Sequence, residues 1–453
     1  MMEDILYGLG PLVVILLALL GHRYRWERLR QMVAVWVSVV LVGTGALAYG
    51  GIAHGHFSPI LVMLTNLVAA TSAWDSVRWG QEHPDMRPRR YYLWWALFWA
   101  SLITIALARD LAIAWLAIEF STLASGALIV EMGNRRALEA AWKYIVIASV
   151  GLAMGIIGIL FVYGSLRTQG LGWQTLSYYN ILHHFHEISP IVRETATILI
   201  VSGIGTKVGL APFHTWLPDA HSEAPSPVSG LLSGILLGLC LVTIDRFVTA
   251  VPLPAETLFS GPHLLLIFGT LSVVVGTLAL LVQRDIKRLL AYSSIEQMGI
   301  MAVGFGVGTP WARDAALLQF AFHAVIKSTL FYIGGHLSVV YHTKRLDKIT
   351  DIVRQHRGLA VAWAIGILAL AGLPPLGLAY SEWMILQALW QDHSTVVLIV
   401  LSAALVLAFA ALLYHLLRGL WGGFEISARR DDTENREPAG LLDRVPTLGG
   451  VRH

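Results

Sequence analysis

The chain has 453 residues, of which 56% are hydrophobic and only 13% are charged. Soluble domains carry about 25% charged residues, so this composition excludes an ordinary soluble enzyme and indicates a protein that crosses a membrane many times. The single cysteine, Cys240, excludes an intrachain disulfide bond and a cysteine-bound iron–sulfur cluster within this chain. No glycine-rich nucleotide motif follows a strand pattern, so we expect no cofactor in this chain and no nucleic-acid partner.

Windows of about 20 apolar residues predict thirteen membrane-spanning helices. The first run, which follows Glu3 and Asp4 and no basic stretch, is interpreted as an uncleaved first span. The expected fold class is therefore an all-α polytopic membrane protein. The predicted spans are 4–20, 31–53, 57–76, 91–108, 111–131, 137–164, 190–210, 226–249, 262–283, 286–308, 313–340, 358–390 and 394–421.

The distribution of basic residues predicts the orientation of these spans. Of the 32 Lys and Arg residues, 24 fall in predicted inner segments, 4 in outer loops and 4 within spans. Cytoplasmic loops of membrane proteins are enriched in Lys and Arg. We therefore expect the amino terminus outside the membrane and the polar tail, residues 422–453, inside.

Prolines that break helices occur at two of the predicted spans. Pro212 follows the seventh span, and Pro374 and Pro375 lie near the middle of the twelfth. Proline lacks an N–H group and clashes with the preceding turn, so both helices are expected to break. Broken helices at membrane depth line a cavity or are buried in protein. The first break lies beside Lys207, a side chain that the bilayer disfavours by roughly 2.5–3.5 kcal/mol.

Ionisable residues inside the predicted spans form a small set, and such residues commonly mark ion or proton routes. The set comprises Glu119, Lys143, Lys207, Glu296, His323, Lys327 and Glu382. Gln319, His323 and Lys327 are spaced by four residues, so they share one face of a helix. Plainer interpretations remain open, because a buried carboxyl can be neutral and a lysine can be a structural counter-ion. Lys143 can also reach the inner surface and pair with Glu139.

The charged positions also predict an internal repeat. Glu119 and Lys207 are 88 residues apart in spans five and seven, and Glu296 and Glu382 are 86 residues apart in spans ten and twelve. Spans five and ten run in opposite directions, and so do spans seven and twelve. This pattern is typical of transporters built from two inverted halves. The predicted organisation has peripheral helices over 1–90, a first five-helix half over 91–250, a second over 251–421 and the polar tail over 422–453.

Three histidines lie close together in the longest predicted outer loop, at positions 183, 184 and 186. Imidazole is a common metal ligand, so a metal site in this loop is one possibility. Adjacency in sequence is weak evidence for coordination geometry, and a solvated loop is the favoured interpretation. We therefore predict no metal site.

Three segments carry a resemblance to a known family: KVGLAPFHTWLPDAHSEAPSPVS, RDIKRLLAYSSIEQMGIM and HAVIKSTLF. They resemble the antiporter-like subunits of respiratory complex I, a family that includes Mrp-type cation/proton antiporters and membrane-bound hydrogenases. The resemblance covers roughly residues 90–420. HSEAPSPVS and SSIEQMG are most similar to the hydrogenase-4 component F branch.

This resemblance implies roles for individual residues. It implies a glutamate–lysine pair at Glu119 and Lys207, a modulating lysine at Lys143, a central lysine at Lys327 and an exit residue at Glu382. The chain also departs from the family pattern. Ser233 stands where many members have a histidine, and neither a fourteenth span nor a long lateral helix is predicted.

The same resemblance implies a proton-translocating subunit of an ion-pumping redox complex in the inner membrane of a prokaryote. Any redox cofactor of the complex would belong to partner subunits, as iron–sulfur clusters, a nickel–iron centre or a flavin. This chain would then be a subunit of an oxidoreductase complex with no redox centre and no catalytic residue of its own. Its expected partners are other membrane subunits, the lipid bilayer, and protons or sodium ions. Two alternatives remain: a sodium–proton antiporter subunit, and a non-conducting membrane scaffold that docks an enzyme domain.

Overall fold

The computed structural model describes residues 2–20, 26–53, 58–84, 87–167, 170–254, 257 and 259–422. These residues form helices and connecting segments, and no strand occurs among them. The prediction of an all-helical fold is confirmed. The predicted polar tail, apart from residue 422, lies outside the described residues.

The helices follow one another with short connections. A π-helical turn, Leu232–Leu236, joins α10 to α11 without a break in the helix. The helices are α1 (Met2–Leu20), α2 (Trp26–Ala53), α3 (Ser58–Glu82), α4 (Pro88–Leu107), α5 (Leu111–Val130), α6 (Arg135–Leu166), α7 (Tyr178–His184), α8 (Pro190–Val208), α9 (Trp216–Glu223), α10 (Ser226–Leu231), α11 (Leu237–Ala250), α12 (Gly261–Val282), α13 (Ile286–Val307), α14 (Pro310–Val340), α15 (Ile352–Gln355), α16 (Arg357–Leu370), α17 (Gly377–Gln391) and α18 (Thr395–Trp421).

Eight helical stretches among the described residues are long and apolar enough to cross a membrane. They are Ser58–Glu82, Leu111–Val130, Arg135–Leu166, Pro190–Glu223, Ser226–Ala250, Gly261–Val282, Pro310–Val340 and Thr395–Trp421. Helices α16 and α17 have 14 and 15 residues, and each is short because the chain breaks between them. The count of thirteen spans therefore stays a prediction.

Polar caps determine where three of the central helices begin. Asp110 accepts a hydrogen bond from the main-chain N–H of Ala112 at the start of α5. Asp285 does the same for Lys287 at the start of α13, and Asn134 caps α6. Each cap satisfies N–H groups that have no partner within the helix, a contribution of about 1 kcal/mol.

Both helix interruptions are associated with glycine and proline. Helix α8 ends at Val208, and Gly209 follows with a φ of +80°, a left-handed conformation that favours glycine. The chain passes Pro212 and resumes as α9 at Trp216. Between α16 and α17, the residues 371–376 include Gly372, with a φ of +70°, and the two prolines. The interruptions place irregular main chain next to Lys207 at the end of α8 and next to Glu382 on α17.

Glycines allow two pairs of helices to approach closely. A Cβ atom built on Gly203 of α8 would lie 2.6 Å from the carbonyl oxygen of Gly151 in α6. A Cβ atom built on Gly299 of α13 would lie 2.7 Å from the carbonyl oxygen of Gly269 in α12. Small residues at such contacts let helix backbones pack in a membrane, where hydrophobic burial does not drive association. These contacts fix the positions of Lys207 on α8 and Glu296 on α13. The stretch of α10 and α11 is buried apart from Arg246 and Thr249 near its end.

Candidate functional site

Lys207 is fully buried one residue before the end of α8. Its Nζ donates hydrogen bonds to Thr122 Oγ1, at 2.8 Å, and to the hydroxyl of Tyr144. The same atom lies 4.4 Å from the centroid of the Tyr144 ring and 5.9 Å from that of Trp216. Hydroxyl groups and aromatic faces both favour an ammonium ion. The fold therefore provides a site for the charge of Lys207 without a carboxylate in contact.

Glu119 lies on α5, one turn before Thr122, and is partly buried. Its Oε1 accepts a hydrogen bond from Ser149 Oγ at 2.7 Å, while Oε2 is buried with no partner among the described residues. No salt bridge within 4.0 Å joins Glu119 to Lys207. Thr122 links the two residues, because it lies on α5 with Glu119 and accepts a hydrogen bond from Lys207 Nζ. The implied pair is thus brought to one site through this hydroxyl group, without direct contact.

Lys143 lies at the surface, with 37% of its side chain exposed. Its Nζ is 2.6 Å from Glu139 Oε1 and 3.8 Å from Asp219 Oδ2 on α9. Asp219 also accepts a hydrogen bond from Arg288 at 2.7 Å. The structure therefore places Lys143 in a surface ion cluster and does not bring it into contact with the buried residues.

Lys327 is fully buried on α14 and is bonded to α13. Its Nζ donates to the main-chain oxygen of Leu290 at 2.6 Å and to Ser293 Oγ at 2.5 Å. Glu296 is also buried and lies three residues after Ser293, so both occupy one face of α13. A lysine and a carboxylic acid are thereby placed on adjoining faces of two packed helices.

The polar stripe predicted on α14 is turned into the protein. Gln319, His323 and Lys327 are all fully buried. Neither ring nitrogen of His323 has a hydrogen-bond partner among the described residues. Buried polar groups are normally paired, so the unpartnered imidazole of His323 is an exception on this stripe.

Glu382 ends a network of buried side chains that joins three helices. Its Oε1 accepts from Gln297 Nε2 at 3.4 Å, and Gln297 Oε1 accepts from Gln319 Nε2 at 2.6 Å. Ser381 Oγ donates to Gln319 Oε1. Gly372, in the second helix interruption, leaves room for the Glu382 carboxylate, because a Cβ atom there would collide with it. The interruption and the carboxylate thus belong to one site.

Sequence reasoning missed Gln297 and Ser381 because a search for ionisable residues passes over amides and hydroxyls. Both neighbour a predicted site residue in sequence, Glu296 and Glu382 respectively. A polar side chain beside a buried charge is the signal that would have found them.

His221 is a further buried residue that the sequence analysis did not select. It lies on α9, is fully buried, and has no hydrogen-bond partner on either ring nitrogen among the described residues. Its ring stacks on Phe331 of α14 at 4.8 Å. Ser233, which stands where the family often has a histidine, lies in the π-helical turn, and its Oγ is 2.7 Å from Ser294 Oγ. π-helical turns are frequent at functional sites.

His183, His184 and His186 do not come together as a metal-binding cluster in the part of the chain that the structure describes. His184 contacts Glu187 at 2.9 Å, and His183 contacts the main-chain oxygen of Tyr179 at 2.8 Å. Across the part of the chain that the structure describes, no group of three or more His, Cys, Asp or Glu side chains could hold a metal ion.

Comparison with known proteins gives the class to which this fold and site belong. Residues 108–408 match the family described as NADH:quinone oxidoreductase/Mrp antiporter, transmembrane. The chain belongs to this family, which confirms the predicted resemblance. Its homologues are subunits of multi-subunit membrane complexes.

Two relatives illustrate the similarity in sequence. The hydrogenase-4 component F homolog of Methylacidiphilum infernorum is 34% identical over 370 residues, covering 80% of this chain and 77% of the relative. NADH-quinone oxidoreductase subunit N of Deinococcus radiodurans is 32% identical over 326 residues, covering 69% of this chain and 62% of the relative.

Two solved structures share the fold at lower identity. A chain of the archaeal membrane-bound sulfane sulfur reductase has a TM-score of 0.84 at 20% identity, over 93% of this chain and 88% of that chain. A chain of the Mrp complex from Dietzia sp. has a TM-score of 0.80 at 19% identity, and the match covers 93% of this chain and 80% of that chain.

Proposed function

We propose that the chain is the proton-translocating membrane subunit of a complex I-like or hydrogenase-4-like redox complex. The observation that carries this proposal is the series of buried lysine, carboxyl, histidine and amide side chains on α13, α14 and α17. Charged side chains are costly inside a bilayer and mark ion or proton routes. The names of the relatives support the same function, since they are subunits of hydrogenase-4 and of quinone oxidoreductases.

The second half of the chain carries the more continuous part of the proposed path. Lys327 reaches Ser293 on α13, and Glu296 follows on the same face. Along α14 the polar stripe leads from Lys327 to Gln319, a distance of about 12 Å at the rise of an α-helix. The amides of Gln319 and Gln297 then connect the stripe to Glu382. Glu382 is proposed as the terminal proton site.

The first half would supply a second buried lysine, Lys207, with its charge held by Tyr144 and Thr122. A nearby carboxylate stabilises an ammonium ion, and a neutral carboxyl does not. Protonation of Glu119 would therefore favour release of the proton of Lys207 toward Lys327. Electron transfer in partner subunits would supply the free energy, and any redox cofactor would lie there.

Proton uptake into membrane vesicles, driven by the parent complex, tests the proposal. Lys327→Ala is expected to abolish most of the uptake, while the abundance of the subunit in the assembled complex stays near the normal value. A rate that depends on sodium would instead assign the chain to the sodium–proton antiporters. Full uptake in Lys327→Ala and in Lys207→Ala would favour a non-conducting scaffold.

We also infer thirteen spans in a prokaryotic inner membrane, with the amino terminus outside and the tail inside. Eight long apolar helices, together with α1, α2, α4, α13 and the pair α16–α17, make up that number. The interruption after α8, beside Lys207, and the interruption before α17, beside Glu382, fall at equivalent places in two proposed halves, 91–250 and 251–421, and support their similarity. A tag after His453 should be accessible only from the inside; labelling from outside in intact cells would contradict this topology.

A further inference from the structure

A cavity of about 960 Å³ opens at the end of the bundle where α3 and α14 finish and α6 and α13 begin. We call it the basic cavity, because its walls hold six Lys and Arg side chains and two carboxylates. The basic residues are Arg136, Arg284, Lys287, Arg288, Lys344 and Arg345, and the acidic residues are Glu223 and Asp285. This cavity lies outside the path proposed above.

Half of these basic side chains are already neutralised by carboxylates. The pairs are Arg288 with Asp219 at 2.7 Å, Lys344 with Glu223 at 3.1 Å, and Arg345 with Asp347 at 2.7 Å. Arg136 and Arg284 have no carboxylate within 4.0 Å among the described residues. Lys287 is only 6% exposed, and its Nζ donates to the main-chain oxygen of Ala224 at 2.8 Å.

The remaining lining carboxylate, Asp285, offsets only part of the positive charge of these three residues. Asp285 is engaged as the cap of α13, where it accepts from the main-chain N–H groups of Lys287 and Arg288. The basic cavity therefore holds an excess of positive charge, carried chiefly by the two exposed arginines, Arg136 and Arg284. Such an arrangement favours an anion, and arginine binds phosphate oxygens in a bidentate manner.

The wall of the basic cavity continues into an apolar stripe on α12. Val282 lines the cavity and is 73% exposed, and Leu278, one turn deeper on the same face, is 55% exposed. Leu271 extends the exposed stripe. From Val282 to Leu271 the helix rises roughly 16 Å, which is about half the thickness of a bilayer hydrocarbon core. A ligand in this cavity would meet positive charge and, beside it, an apolar surface as long as one leaflet.

We propose that the basic cavity binds the headgroup of an anionic phospholipid. Its phosphate lies among Arg136, Arg284 and Lys287, and an acyl chain lies along the stripe of Leu271, Leu278 and Val282. Basic cavities between membrane helices bind phosphate-rich headgroups in this way. The combination of unpaired charge and leaflet-length apolar surface distinguishes this site from the basic loops that all such proteins carry on one side.

Lipid titration of the detergent-purified complex tests the site. The ligands are cardiolipin, phosphatidylcholine and inorganic phosphate, and bound lipid is counted by native mass spectrometry. We expect cardiolipin to bind in preference to phosphatidylcholine. The variant Arg136→Gln/Arg284→Gln should lower the affinity for cardiolipin by about 25-fold, since each basic residue near a membrane surface contributes about fivefold. Arg284→Gln alone, at an exposed position with little effect on assembly, should lower it by about fivefold.

The matched control is Arg354→Gln, because the side chain of Arg354 is 83% exposed at the same end of the bundle and does not line the cavity. It should bind cardiolipin with unchanged affinity. Equal affinities in the wild type and both cavity variants would overturn the proposal. Binding of inorganic phosphate without cardiolipin would also overturn it and would indicate a site for a free anion.

Discussion

Replacing Tyr144 by phenylalanine tests the site around Lys207 without removing the lysine. The substitution deletes the hydroxyl that accepts a hydrogen bond from Lys207 Nζ and keeps the ring that lies 4.4 Å from it. A hydrogen bond to a charged group contributes about 1.5–3 kcal/mol. If the ammonium form of Lys207 takes part in the slowest step, proton transport should fall between roughly tenfold and a hundredfold.

The assay is the initial rate of proton uptake in membrane vesicles, normalised to the abundance of the subunit. Tyr92→Phe is a matched control, because the Tyr92 hydroxyl is also buried and hydrogen-bonded, but its partner is Ser76 Oγ, at 2.8 Å, in place of a lysine. The variant Tyr144→Phe/Lys207→Met should be no slower than Lys207→Met alone, because both changes act on one charge. Transport at the normal rate in Tyr144→Phe, or an equal fall in Tyr92→Phe, would refute the reasoning.

Three further predictions concern the other elements of the site. Glu382→Gln should lower proton uptake while the complex stays assembled. Glu382→Lys should retain more uptake than Glu382→Gln, because lysine is a titratable group. Normal uptake in Glu382→Gln would mean that protons leave the chain through another residue. Glu119→Gln and Lys207→Ala should each reduce uptake and combine non-additively; additive losses would show that they act separately. Gly203→Ala should lower the melting temperature of the purified subunit, because overpacking costs about 1–3 kcal/mol where a Cβ atom would meet main chain at 2.6 Å. Gly164→Ala, with no atom within 4 Å of the added Cβ, is its control.

The class of protein could be predicted from the sequence because it depends on properties that are local in the chain. The bilayer selects long apolar runs whatever their neighbours are, and the family motifs are contiguous segments. A charge within such a run is costly in itself, so Lys207, Lys327 and Glu382 could be selected before any contact was known. All three are buried in the structure.

The partners of these charges were decided only by tertiary structure. Lys207 bonds to Tyr144, 63 residues away, and to Thr122, 85 residues away, and it does not contact Glu119. Those contacts depend on how α6 and α8 are rotated about their axes and on how closely their glycines let them approach. Composition and periodicity do not specify a rotation between two apolar helices, since each presents several apolar faces.

Burial near the ends of helices was likewise a tertiary property. Lys143 and Lys287 are the ninth and second residues of their helices, yet Lys143 is paired at the surface and Lys287 is buried against Ala224. His221 is buried because the interruption after α8 folds α9 back against Phe331 of α14. The sequence by itself determined the fold class, the family and the burial of Lys207, Lys327 and Glu382. Tertiary structure alone decided which groups meet them, because that depends on the distance and rotation between helices far apart in the chain.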